Sequence, residues 1–88
     1  MADSYIPIDC SLHDYIEIAC LKHYQLRLEL IDTSELIAIA ESTETRSDKT
    51  EWLLLRDGDI QHTVRLDNIV ALTPLATDPI FGRIVLRD

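Results

Sequence analysis

Positive charge is scarce in this chain. Eight Lys and Arg stand against sixteen Asp and Glu over 88 residues, a formal charge of −8. Nucleic-acid binders draw much of their affinity from cationic contacts to phosphate, so a chain this acidic repels a polyanion at long range. Direct binding of RNA or DNA is therefore not expected. Glycine is almost missing as well. With only Gly58 and Gly82 there is no glycine-rich loop to cradle a phosphate group. One Phe, one Trp and three Tyr are too few for an aromatic base-stacking surface, and Trp52 and Phe81 are expected to be packed. No apolar run approaches the roughly 20 residues a membrane helix needs. The opening MADSYIPID lacks the basic start and apolar core of a secretory signal, so a cytoplasmic location with both cysteines reduced is expected.

What the chain does have is apolar residues, at 47%, enough for one modest core in a single domain over residues 1–88. YQLRLELI (24–31) alternates Leu26, Leu28 and Leu30 against Gln25, Arg27 and Glu29, the period of a half-buried strand. LIAIA (36–40) and EWLLLR (51–56) give a second and a third strand. Between them ESTETRSDKT (41–50) carries no large apolar side chain and reads as an exposed loop or strand end. Asp57-Gly58 suits a tight type I′ hairpin turn. IQHTVRL (60–66) then sets Ile60, His62, Val64 and Leu66 on one face of a fourth strand. NIVAL (68–72), apolar on both faces, is central or strongly bent, and GRIVLR (82–87) makes a last strand. Five or six short strands after one helix imply a mainly β fold, a small curved antiparallel barrel or sandwich.

The spacing of CSLHDYIEIACLKH (10–23) invites a metal site, with C-x₂-H at each end. The same letters describe a helix over about 11–22. Leu12, Tyr15, Ile16, Ala19 and Cys20 share one face, and Ser11 with Asp14 approximates a capping box. On such a helix His13 and Cys20 lie roughly 10 Å apart, and Cys10 and Cys20 roughly 15 Å. Zinc, about 2.0–2.3 Å from each ligand, cannot span those gaps, and neither can a disulfide. Cys20 and His23 could offer half a site with nothing to complete it. No metal or cofactor is expected, and the cysteines read as small buried apolar residues.

The other side of that helix carries His13, Asp14, Glu17 and Leu21. Two carboxylates beside an exposed leucine suit a basic partner; a merely solvated face, with acids favouring the helix dipole, is the plainer alternative. Catalysis has little support. Neither cysteine has a positioned base, His62 alternates with core residues, and Asp57 and Asp59 flank a turn where Asp is usual. An enzyme is not expected.

The run YIPIDC (5–10), followed by DYIEIAC (14–20), resembles the Rof family, the Rho-binding antiterminators of bacteria. LRLEL (26–30) with the Asp32 turn, and RLDNI (65–69), resemble it further, so the likeness spans nearly the whole chain. ALTPLATDPIFG (71–82) looks longer than the family's connection there. The resemblance implies an Sm-like fold and binding to the RNA-binding N-terminal domain of the hexameric helicase Rho, which keeps nascent RNA from its primary site. It points to Asp14 and Glu17 as acceptors for basic groups of Rho, with His13 and Leu21 beside them. Asp9 is a further candidate, as are Glu44, Arg46, Asp48 and Lys49 in the loop between the second and third strands. Tyr5, Pro7 and Cys10 would anchor the N-terminal segment. Net repulsion favours a monomer. An Sm-like RNA-binding module and an acidic adaptor for another basic protein are the alternatives.

Overall fold

A computed structural model of the chain describes residues 8–86; Tyr5 and Pro7 lie outside them. Helix α1 (Cys10–Leu21) comes first, followed by β1 (Gln25–Leu30), β2 (Glu35–Thr45), β3 (Glu51–Asp57) and β4 (Ile60–Arg65). A 3₁₀ turn (Leu66–Asn68) leads into β5 (Ile69–Pro74) and the short β6 (Ile84–Val85). All pairings are antiparallel, in the order β4-β3-β2-β1-β5-β6. The expected mainly β architecture with one N-terminal helix is present. Among the described residues β4 and β6 remain edges, so the small antiparallel sheet is not closed, consistent with the expected curved architecture. Bulges between Glu29 and Leu30, and between Ala40 and Ser42, supply local bending.

Helix α1 starts one residue earlier than its sequence suggests, and its cap differs. Asp9 is the N-cap, its Oδ1 accepting from Ser11 N and Oγ at 3.0 Å each. Ser11 is thus a donor inside the first turn, not the capping acceptor. Asp14 falls beyond the first turn, where the dipole argument loses its force. At the other end His23 takes φ 52°, with its N–H on Cys20 O at 3.1 Å and Tyr24 N–H on Ala19 O at 2.9 Å. That is a Schellman ending, with histidine where glycine is usual.

The expected apolar side of the helix does face inward: Ile16 and Ala19 are buried, and Leu12, Tyr15 and Cys20 pack against the core. Leu26 and Leu28 of β1, Ala38 and Ala40 of β2, Leu53 and Leu55 of β3, and Leu72 of β5 complete it. Cys10, expected as a buried anchor, is exposed at the helix start.

Several boundaries move. β2 runs on to Thr45, through residues expected to loop, because Ser42 to Thr45 pair in register with Leu54 to Glu51. A polar segment needs no apolar side chains to hold a ladder once its neighbour provides the buried face. Asp57 pairs with Ile60, so the two-residue turn is Gly58-Asp59. Only Gly58, at φ 63°, has positive φ there, which is the type II′ pattern and not I′. The fourth strand ends at Arg65, and Ile60 at its tip is exposed, while Val64 packs inward.

The connection after β5 is tied down at four points. Leu75 N–H reaches Gln25 O at 2.7 Å, Ile80 N–H reaches the Tyr24 hydroxyl at 3.1 Å, and Phe81 is buried. The Phe81 ring meets Tyr15 edge-on at 5.1 Å and Tyr24 at 6.0 Å. Arg83 completes the attachment with two hydrogen bonds to Glu29, at 2.8 and 2.9 Å.

Candidate functional site: an acidic seam beside the helix

Helix α1 lies against β2, and the seam between them is open to solvent. Near the helix C-terminus a cleft of about 460 Å³ is bordered by Glu17, Leu21, Glu41 and Thr43. Toward the N-terminus a smaller one, about 120 Å³, is bordered by His13, Glu17, Thr43, Glu44 and Glu51. Glu17 and Thr43 belong to both, so Glu17 stands in the middle of one acidic seam.

Of the residues singled out from sequence, Asp14 and Glu17 are exposed and make no hydrogen bond or ion pair with any other described residue. Leu21 is 82% exposed at the end of the same side. A large apolar side chain left in water beside free carboxylates is the informative feature here. His13 is different. Its Nε2 is 2.8 Å from Glu51 Oε1, so it joins the helix to β3.

Asp9 has a structural occupation as the N-cap, and its hydrogen bonds from the Ser11 backbone and hydroxyl hold its carboxyl below the usual range. Asp48 does similar work in the β2–β3 turn. Its Oδ1 accepts from Thr50 Oγ1 at 2.7 Å and Thr50 N at 3.1 Å, and those bonds lower its pKa in the same way. Lys49 sits in that turn at φ 69°, exposed.

Arg46 and the Glu44 carboxylate it holds lean toward the Trp52 side of the sheet. Cross-strand partners share a side of the sheet, and Glu44 is partnered with Trp52, while Thr45 is partnered with Glu51, which meets the helix. Arg46 Nε donates to Glu44 Oε2 at 2.9 Å, and its guanidinium lies 4.0 Å from the centre of the Trp52 ring. The structure therefore brings together His13, Asp14, Glu17 and Leu21, with Glu44 bordering the smaller cleft beside His13 and Glu17 while Arg46 holds its carboxylate.

Glu51 and Glu41 are the seam residues that sequence reasoning did not single out. Glu51 had a signal: it shares parity with the buried Leu53 and Leu55, an unusual place for a carboxylate without a partner. Glu41 had none, since it sits at the bulge and pairs with Arg56, fifteen positions away, at 3.0 Å. Cys20 beneath the seam is a poor nucleophile; burial, with the nearby Glu17 charge, pushes its thiol up to about 11. Among the described residues no group of three or more His, Cys, Asp or Glu is arranged to hold a metal ion.

Comparison with known proteins agrees with this fold. The chain is 33% identical over 88 residues to Protein rof of Escherichia coli K12 and equally to that of Shigella flexneri, covering 100% of this chain and 99% of each relative. Its fold is similar to the solved structure of YaeO bound to magnesium from Vibrio cholerae O395. The TM-score is 0.76 and the identity 28%, over 84% of this chain and 96% of that one. The family model described as modulator of Rho-dependent transcription termination matches residues 7–86. An acidic protein with a small curved antiparallel sheet and one N-terminal helix, this chain belongs to the Rof family of modulators of Rho-dependent transcription termination.

Proposed function

We propose that the chain inhibits Rho-dependent termination by laying the outward side of α1 against the RNA-binding N-terminal domain of Rho. Asp14 and Glu17 accept from the Arg and Lys side chains that otherwise hold RNA, and Leu21 adds an apolar contact at the edge. The observation that carries this reading is the pair of carboxylates with no partner of their own, set beside an 82% exposed leucine. A groove built for phosphates is electropositive, so a surface carrying unpaired carboxylates competes for the same donors. His13 contributes through Glu51, which fixes the helix on the sheet. Asp9 and Asp48 shape the helix start and the turn, Lys49 is available at the turn's tip, and the Glu44–Arg46 pair is a further candidate contact. The free protein acts as a monomer in the cytoplasm, without cofactor and without touching RNA itself. No helix among the described residues is long and apolar enough to cross a membrane.

The test is competition. Purified protein is added to Rho carrying a fluorescent C-rich RNA, and anisotropy is followed. RNA release, with no binding of the probe to this chain alone, is expected. RNA that stays on Rho at saturating protein would sink the reading.

A further inference from the structure

We propose that a second cavity, across the sheet from the helix, binds a neutral nucleoside by stacking its base on Trp52 and hydrogen-bonding it through Asn68. The cavity, open to solvent on one side, measures about 420 Å³ between the end of β1 and the β3–β4 pair. That is the size of site that takes a small ligand. Trp52 and Arg65 are cross-strand partners, as are Leu54 and Thr63, so this wall belongs to the face opposite Glu51 and the helix.

Each wall has a distinct chemistry. Ile31 is apolar, and Trp52 supplies an aromatic ring. Arg46 covers one face of that ring without reaching the cavity, so the indole is held in place while it still borders the empty space. The indole N–H is already spent on Thr50 Oγ1 at 2.7 Å. Trp52 can therefore offer a ligand its π surface and not a hydrogen bond, which suits a flat ring.

The polar groups narrow the class further. Asn68 and Thr63 line the cavity and hydrogen-bond through their side chains to no other described residue. A side-chain amide presents a donor and an acceptor side by side, the complement of a base edge. Asp32 also borders the space; its Oδ1 is taken by Ser34. Arg65 is partly committed, its Nε fixed at 2.6 Å on the buried Asp67, whose carboxylate offsets the charge it could offer a phosphate. A carboxylate at the rim, a partly committed arginine and a formal charge of −8 all select against a nucleotide and for its uncharged nucleoside.

Trp52 is the sole tryptophan of the chain, so it reports on its own site. Adenosine, guanosine, cytidine and uridine, and their 5′-monophosphates, are titrated into the full chain without Rho. Emission is excited at the red edge, where the nucleosides do not absorb. Saturable quenching by at least one nucleoside is expected, about tenfold weaker for its monophosphate and about tenfold weaker again in Asn68→Ala. Should Asn68→Ala fail to fold, Thr63→Val, at an exposed strand position, carries the same comparison. Quenching that never saturates with any of the four, or an affinity indifferent to both substitutions, overturns the proposal. Because Rho is absent, neither result bears on the reading of the helix.

Discussion

His13 Nε2 and Glu51 Oε1 meet at 2.8 Å, joining the middle of the helix's outward side to the first residue of β3. The contact sets how far Asp14 and Glu17 stand from the sheet. Glu51→Ala is expected to leave the fold cooperative but to loosen the helix. The drop in Rho affinity should be smaller than that caused by losing either carboxylate on the helix itself. Competition anisotropy on the three single variants ranks them; a Glu51 variant weaker than both would make Glu51 a contact residue.

Asp14→Lys together with Glu17→Lys should keep the circular dichroism spectrum and melting behaviour of the parent, because both positions are exposed. Affinity for Rho should fall by about 100-fold or more, as two attractions become repulsions. The parent's affinity should also weaken as salt rises, since exposed pairs are screened beyond about 8–10 Å at physiological ionic strength. Full affinity in the folded double variant would remove the helix from the interface.

Phe81→Ala is expected to cost about 3–5 kcal/mol, the usual range for emptying a buried aromatic site. Phe81 bridges Tyr15 of the helix and Tyr24 before β1, so its loss frees the 75–83 connection and one side of the helix together. Urea unfolding measures the change. A loss under about 1 kcal/mol would mean the two tyrosines close the gap by themselves.

The two thiols should react at very different rates. Cys10 is exposed, while Cys20 is half-buried with its pKa raised to about 11. At neutral pH one equivalent of a thiol reagent should be consumed rapidly and the second only as the protein unfolds. Cys10→Ser should abolish the fast phase, and a surviving fast phase would show that Cys20 is reachable from the seam.

Acid should destabilise the fold in a defined window. Hydrogen bonds lower the carboxyls of Asp9, Asp32 and Asp48, and Arg83 lowers that of Glu29. A carboxyl depressed in the folded state adds stability above its unfolded pKa, and that stability is lost as pH falls through the folded value. Stability should therefore decline from about pH 5 downward. Asp48→Asn should start lower and decline less steeply; a parallel curve would mean the turn bonds are not felt in folding.

How much of this was legible in the sequence follows from what each pattern encodes. The alternation of Leu26, Leu28 and Leu30 and the spacing of Ile16, Ala19 and Cys20 fix which sides face inward, and those assignments agree with the structure. Period says nothing about which strand lies beside which, so the partnership of Glu51 with His13 across 38 positions was invisible. The same gap hid the cleft that Glu17 on the helix shares with Glu44 of β2. The length of β2 was missed because ladder hydrogen bonds come from backbone, and STET carries no side-chain signal for them.

The late arrival of Phe81 has a consequence during synthesis. Tyr24 and Ile80 are 56 positions apart, and Glu29 and Arg83 are 54 apart. The helix and β1 precede Phe81 in the chain, so Tyr15 and Tyr24 stay uncovered until position 81 has cleared the ribosome. Truncation at a stop codon just before position 81 would leave nearly the whole sheet intact in sequence and still release a chain with a bare aromatic surface, a substrate for chaperones and proteases before it could ever reach a helicase.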